Sequence, residues 1–470
     1  MPLPEPRSHG APGHDRERAL SPAQMERAGL CIGCGSCASP SPEVTMAFDT
    51  GGFLKPRGPR EWRERRSAEF ARTCPFSPSA RDEDAIATEL FPGTLRDPAI
   101  GRYRATYVGA ADPATRSAGS SGGMATWLAA ELLRSGTVDG VAHVVPTPAS
   151  SGRLFAYTVS RSVAAVRVGA KSRYYPIDLQ SILREIREVP GRYAVVGIPC
   201  FIKAVQLARA EEPVLAERIV ATIGLFCGHM KSARLATSFA RQLGFAQAEV
   251  AAIDYRRKDP ERPANWYTAE VCGPGGEART RDWWHLAEGD WGAGFFMSPA
   301  CNWCDDVAAE CADVALGDAW LEPYSSDGRG TNVVVVRSAR IAELIGQGMA
   351  EGRLELAAVD ADFVRRTQAA GFRQRREGLG WRLARNWLPV SPRKRVAPDA
   401  AIPLRRRAIY ALRMSISRWS VRVHRVAEQI GAPGLYYAWA RAVSAVYHAF
   451  AYSRGRLGRV VDRVLPPAGE

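Results

Sequence analysis

The sequence predicts an α/β fold of mixed sheets with flanking helices, preceded by a cysteine-rich N-terminal segment and followed by a helical, basic C-terminal tail. Three observations carry this. From Tyr103 onward, strand-like runs alternate with helix-like ones. Cys31, Cys34, Cys37 and Cys74 crowd the first 80 residues, ahead of that alternation. Beyond a proline-rich break at Pro389, Pro392, Pro398 and Pro403, arginines recur between apolar residues at helical spacing.

Taken in order, residues 1–22 read as a disordered leader rich in Pro, Gly, Arg and Glu. No secretory signal is legible in it. Residues 23–95 form the cysteine segment, residues 96–205 a first α/β domain, 206–365 a second, and 366–470 the tail. In the first α/β domain, Tyr103–Ala110 and Val138–Val145 read as strands around a helix over Ser121–Ser135, with Gly136 as its C′ residue. Further strands are expected at Phe155–Ser160, Tyr193–Ile198, Ile219–Phe226 and Val333–Arg337.

A chain of 470 residues with 46% hydrophobic and 24% charged content has ample core for several units. Ten cysteines in that length do not make a disulfide scaffold, so a reduced, cytoplasmic compartment is expected. No run is long and uncharged enough to span a membrane; the best, Gly434–Tyr452, is broken by Arg441 and His448. Net charge is +14, and residues 401–470 supply +9 of it, from twelve arginines against Glu428, Asp462 and Glu470. The basicity therefore belongs to the tail. There Ile409, Leu412, Ile416, Trp419, Val423, Val426 and Ile430 form one stripe, with Arg413, Arg418, Arg422 and Arg425 between them. Such a helix packs on its own body or a partner subunit, or it docks peripherally on an anionic membrane face. No nucleic-acid motif accompanies the charge, so no nucleic acid is expected.

Cys31-Ile-Gly-Cys34-Gly-Ser-Cys37 points to an iron–sulfur cluster and makes the N-terminal segment ferredoxin-like. Zinc knuckles use Cys-x2-Cys pairs, whereas this triple run wraps one corner of a cubane. Cys74, followed by Pro75, is the fourth thiolate, although 36 residues separate it from Cys37. A structural zinc site or a chance group of buried thiols are the alternatives. A second set comprises Cys200, Cys227 and the pair Cys301-Asn-Trp-Cys304, which suits either a second [4Fe–4S] cluster or zinc. Cys272 and Cys311 are left over and read as small buried hydrophobes. Gly119-Ser-Ser-Gly-Gly123, between a strand and a helix, offers backbone N–H groups to a phosphate, or simply caps the helix through a tight turn.

These blocks resemble the coenzyme F420 hydrogenase/dehydrogenase beta-subunit family, which includes a hydroxymethyl-chlorophyll-reductase-like branch. The correspondence runs from about Cys31 to Glu351. It rests on Cys31–Cys37 with Cys74-Pro75, Ser120–Thr126, Val138–Gly140, Lys171–Tyr174, Gly197–Lys203, Leu225–Cys227, Cys301–Asp306 and Ala312–Trp320. The resemblance implies FAD, bound by Ser120, Ser121, Gly122, Gly123, Ser172 and Tyr174, and two [4Fe–4S] clusters on the two cysteine sets. Lys171, Arg173 and Lys203 are then the candidate catalytic positive groups, with ordinary surface charge as the alternative for each. The chain departs from the family at Ile198, where a threonine is usual, and at Gly330-Thr-Asn332. The implied activity is electron transfer between an F420-like or small-molecule hydride donor and one-electron carriers. A redox partner such as ferredoxin or a catalytic subunit is expected. The alternative is a non-redox scaffold, zinc-bound or metal-free, that joins a membrane-face assembly such as polysaccharide-synthesis machinery.

Overall fold

The computed structural model describes residues 19–385 and 388–466. The expected leader lies mainly outside the described residues; Leu20 bridges to Ser67, and Ser21 caps the helix Pro22–Arg27. The centre is one eight-stranded mixed sheet. Its strands are β1 (Ala105–Ala111), β2 (Gly140–Pro146), β3 (Phe155–Ser160), β4 (Tyr193–Gly197), β5 (Ile219–Leu225), β6 (Val314–Asp318), β7 (Asn332–Val336) and β8 (Leu354–Ala358). They lie in the order β8-β1-β7-β6-β5-β4-β2-β3.

Strands β2, β4, β5 and β6 run parallel, and the outer strands join them antiparallel. The pairing sends the carboxyl ends of β1, β4, β5 and β6 to one edge of the sheet, where sites collect in α/β folds. Strand β7 is valine-rich and wholly buried because both its faces are covered. The side chains of Ala194 and Val195 go to opposite faces. Ala194 meets the helices Met124–Arg134 and Ala339–Ala350, while Val195 meets the helix Pro199–Glu211 and the N-terminal cysteine segment. That segment contains short helices and one hairpin, Thr45–Phe48 with Leu54–Arg57.

A second layer is a three-stranded antiparallel sheet, Ala252–Arg257, Thr268–Cys272 and Ala278–Asp282, packed on the helix Arg234–Gln242. The C-terminal helices Leu404–Gln429 and Pro433–Tyr452 close over this layer. The tail therefore packs on the protein's own body. Ser417 Oγ donates to Met297 O at 3.0 Å, and Phe296 N–H donates to Ser420 Oγ at 2.8 Å. The expected apolar stripe is only partly the buried face. Ile416 is buried, but Trp419, Val426 and Ile430 are 49%, 49% and 61% exposed, while Arg405, Arg413 and His424 are buried. Polar groups of the helix are satisfied by loop carbonyls and side chains, which apolar periodicity does not anticipate. Among the described residues no helix is long and apolar enough to cross a membrane.

Candidate functional site

Three groupings meet along the carboxyl edge of the sheet and the face below it. The first is the Cys31–Cys74 set. Gly33 and Gly35 both have φ +77°, and a Cβ on Gly33 would stand 2.3 Å from Leu54 O. Only glycine lets the loop turn there and lie against its neighbours. Lys55 Nζ donates to Cys31 O, and Leu179 N–H to Cys34 O. The four thiols lie within electrostatic range of one another: Cys34, Cys31 and Cys74 act on Cys37, and Cys74 and Cys31 act on Cys34. Burial holds Cys34 and Cys37 above the usual thiol range and lifts Cys74 to about 12.

The second grouping is Cys200, Cys227, Cys301 and Cys304. Cys200 lies in the first turn of the helix Pro199–Glu211, just past the end of β4, and Cys227 follows β5. Cys227 N–H donates to Val307 O, tying its loop to the Cys301–Cys304 turn, and Met230 N–H points at Cys301 Sγ at 3.2 Å. Burial raises all four thiols, and on Cys200 the next causes are Cys304, Cys227 and Cys301. Cys34 also acts on Cys200, so the two sets adjoin.

All ten cysteines are free of disulfides. Among the described residues, no three His, Cys, Asp or Glu side chains close around a point as ligands of a single ion would. Two sets of four unpaired thiols, buried or half-buried, fit iron–sulfur clusters, because coordination removes a proton that burial alone would keep on sulfur. Cys311 is buried in the core as expected, whereas Cys272 is only half-buried on the three-stranded sheet.

The third grouping is the glycine-rich loop after β1. Ser172 N–H donates to Ser120 Oγ at 3.0 Å, so the Ser120–Gly123 and Lys171–Tyr174 segments come together. Gly123 (φ +81°) caps the helix Met124–Arg134, whose first free N–H, at Met124, donates to Asn332 Oδ1. Gly330 (φ +79°) packs so closely that a Cβ would lie 2.8 Å from Ser121 Cα. Lys258, absent from the sequence-based expectations, donates to the carbonyls of Ser121, Arg329 and Arg116 and stitches three loops. Burial, then the charges of Lys171, Arg116 and Arg256, push it down to about 7. Arg116 donates to Gly330 O and pairs with Asp327. No local motif marks Lys258 or Arg116, because their acceptors are distant main-chain carbonyls.

Lys171 pairs with Asp254 at 3.0 Å, and Arg173 stacks on Phe155 with its Nε buried and unpartnered. Lys203 lies elsewhere, paired with Glu83 at 3.1 Å beside Cys74. Tyr174 joins an aromatic nest with Tyr255, Trp283 and Trp291, and its hydroxyl feels Arg256, Asp318 and Cys227. The third grouping thus borders the second. Backbone N–H groups, lysines and aromatic faces are residue types that suit a flavin nucleotide.

An α/β protein with two thiol quartets beside such groups has the parts of an iron–sulfur flavoprotein. Residues 105–184 match the model of the N-terminal part of the coenzyme F420 hydrogenase/dehydrogenase beta subunit, and residues 191–362 match the model of its C-terminal part. Together they cover more than half of the chain. The chain belongs to the coenzyme F420 hydrogenase/dehydrogenase beta-subunit family, whose members are iron–sulfur flavoprotein oxidoreductase subunits. Among solved structures, a chain of the F420-reducing [NiFe] hydrogenase complex from Methanosarcina barkeri is similar at 19% identity and TM-score 0.48, over 62% of this chain and 97% of that one. No curated protein matches.

Proposed function

We propose that this chain binds FAD at Ser120–Gly123 and Lys171–Tyr174, holds one [4Fe–4S] cluster on each cysteine quartet, and passes electrons between an F420-like or other small hydride donor or acceptor and one-electron carriers. The observation supporting this most is adjacency: Tyr174 lies within electrostatic range of Cys227 in the second quartet, and Cys34 of the first lies within range of Cys200. When bound, flavin supplies exchange between hydride pairs and single electrons, and clusters supply single-electron carriage. The protein's part is placement. The loop N–H groups take the phosphate, Lys171 and Arg173 lend positive charge, and the nest around Tyr174 excludes water. Lys203 is paired with Glu83 away from the Ser120–Gly123 loop, and we assign it to the charge balance beside Cys74. The first quartet is then the exchange point for ferredoxin or a catalytic partner, in the cytoplasm.

Anaerobic purification with iron, acid-labile sulfide, zinc and flavin assays tests the reading, with about eight irons and one flavin expected per chain. Cys304→Ser should halve the iron and leave the flavin bound. Zinc without labile sulfide or flavin refutes the proposal in favour of the scaffold alternative. Flavin reduction by F420H2, NADH, NADPH or reduced ferredoxin then identifies the donor.

A second reading, peripheral contact with an anionic membrane, is favoured by the outer face of the C-terminal helices. Arg418, Trp419, Arg422, Val426, Ile430, Leu435 and Arg441 are exposed there, whereas Glu428, the one acidic residue of the helices Leu404–Gln429 and Pro433–Tyr452, is only partly so. Salt-sensitive sedimentation with phosphatidylglycerol vesicles, absent with phosphatidylcholine alone, is the expected result.

A further inference from the structure

Residues beyond 362 lie outside the matched family regions, yet they put four cations around the second quartet. Arg375, on the helix Ala369–Arg375, is 2% exposed. Its guanidinium donates to Cys301 O at 3.1 Å, Gly228 O at 2.6 Å and Cys227 O at 3.4 Å. One side chain therefore bridges the two loops that carry three of the four thiols. Arg382 Nε donates to Asn302 O, between Cys301 and Cys304, at 2.7 Å. Lys394 acts on Cys304, and Arg413 on Cys301. Lys394 has Asp305 as counter-ion. Arg375, by contrast, makes its polar contacts with main-chain carbonyls, and the charges that offset its burial are those of Cys304, Cys301, Cys227 and Cys200.

A buried guanidinium stays charged, and an uncompensated one is costly unless an anion stands beside it. Four thiolates on a cluster carry net negative charge that grows by one on reduction. We propose that Arg375 is the counter-charge of the second cluster: it fixes the Cys227 and Cys301 loops and holds that cluster's reduction potential above the value the same ligands would give alone. The step it favours is gain of one electron by the cluster, with no proton moved, since Arg375 remains protonated throughout. The inference rests on the cluster reading above and deepens it, because it assigns the residue that sets the second cluster's readiness to accept an electron.

Arg375→Gln and Arg375→Lys are titrated with dithionite under anaerobic conditions, following each cluster by electron paramagnetic resonance and total iron chemically. In Arg375→Gln the reduced-to-oxidised ratio of the second cluster at a fixed poise should fall at least tenfold, about 59 mV for one electron. The first cluster serves as internal control and should not move. Arg375→Lys, which keeps the charge and loses the fork, should recover most of the shift. An Arg375→Gln protein that loads both clusters at unchanged potentials overturns the proposal. If Arg375→Gln fails to load the second cluster, Arg375→Lys decides: loading near the wild-type potential supports the charge role, and loss from both folded variants overturns it, leaving only a loop bridge. Wild-type protein without a second cluster would instead refute the cofactor reading itself.

Discussion

Replacing Asp305 should separate a tail that is part of the core from one that is an appendage. Asp305 follows Cys304 and is 1% exposed. It accepts from Lys394 Nζ at 3.2 Å, Arg395 N–H at 3.2 Å and Arg395 Nε at 3.3 Å. Arg395 also pairs with Glu310 at 2.6 Å, and Glu83 with Lys203 at 3.1 Å. Burial, followed by Glu310 and Glu83, pushes Asp306 up to about 7, and beside it Asp305, Glu310, Glu83 and Asp84 pair with Lys394, Arg395, Lys203 and Arg376. In Asp305→Asn, Lys394, whose side chain is 4% exposed, loses its one ion-pair partner among the described residues. Arg395 keeps Glu310 and takes less of the damage. Breaking a buried pair by removing one member costs about 3–5 kcal/mol, mostly as the stranded charge. The assay is urea unfolding of Asp305→Asn, Lys394→Met and the double variant. Asp305→Asn should lose about 3–5 kcal/mol, and the double variant should cost at least about 1.5 kcal/mol less than the two singles together. Additive singles, or a loss under about 1 kcal/mol for Asp305→Asn, refute the buried network and release residues 393–395 from the core.

Gly330→Ala forces a left-handed alanine against the Ser121 backbone, at about 1–2 kcal/mol before any loop movement, so flavin affinity should fall at least about tenfold with iron unchanged. Fluorescence titration and iron analysis check both. Burial and the neighbouring Lys171, Arg116 and Arg256 push Lys258 down to about 7, below its unfolded value, so a bound anion must draw a proton onto it above that pH. Flavin affinity should therefore weaken as pH rises from 7 toward 9, and the slope should vanish in Lys258→Met. Cutting the chain after residue 403 removes Ser417, Ser420 and Arg413 from the loop that precedes Cys301. A pure docking tail would leave both spectra intact, but here the second cluster's iron should be lost, which iron and sulfide assays will show.

What the sequence reveals follows from how far its physics reaches. The central strands are readable because β-branched runs such as Val333–Val336 sit between glycines and polar turns, and a strand's neighbours hardly alter that pattern. The Cys31–Cys37 run and the Cys301–Cys304 pair are readable because they repeat at short fixed spacings, whereas Cys74, Cys200 and Cys227 join them only across long gaps in the chain. The helix Leu404–Gln429 is legible as a helix, but only half of its inward face is. Periodicity places apolar residues inside, whereas this helix buries Arg413, Ser417, Ser420 and His424 against loops whose polar groups need partners. Lys203 shows the same limit from the other side. Its place beside a cysteine suggests a cofactor charge, but Glu83 is brought to it by the packing of the N-terminal segment on the helix Pro199–Glu211. Arg375 is 71 residues from Cys304 and, in a tail rich in arginine, nothing local sets it apart. Buried charge is selected by the partner it meets, and the partner is chosen by the fold. Thiol spacing is local chemistry and can be read along the chain, but the charges that tune those thiols become legible only in three dimensions.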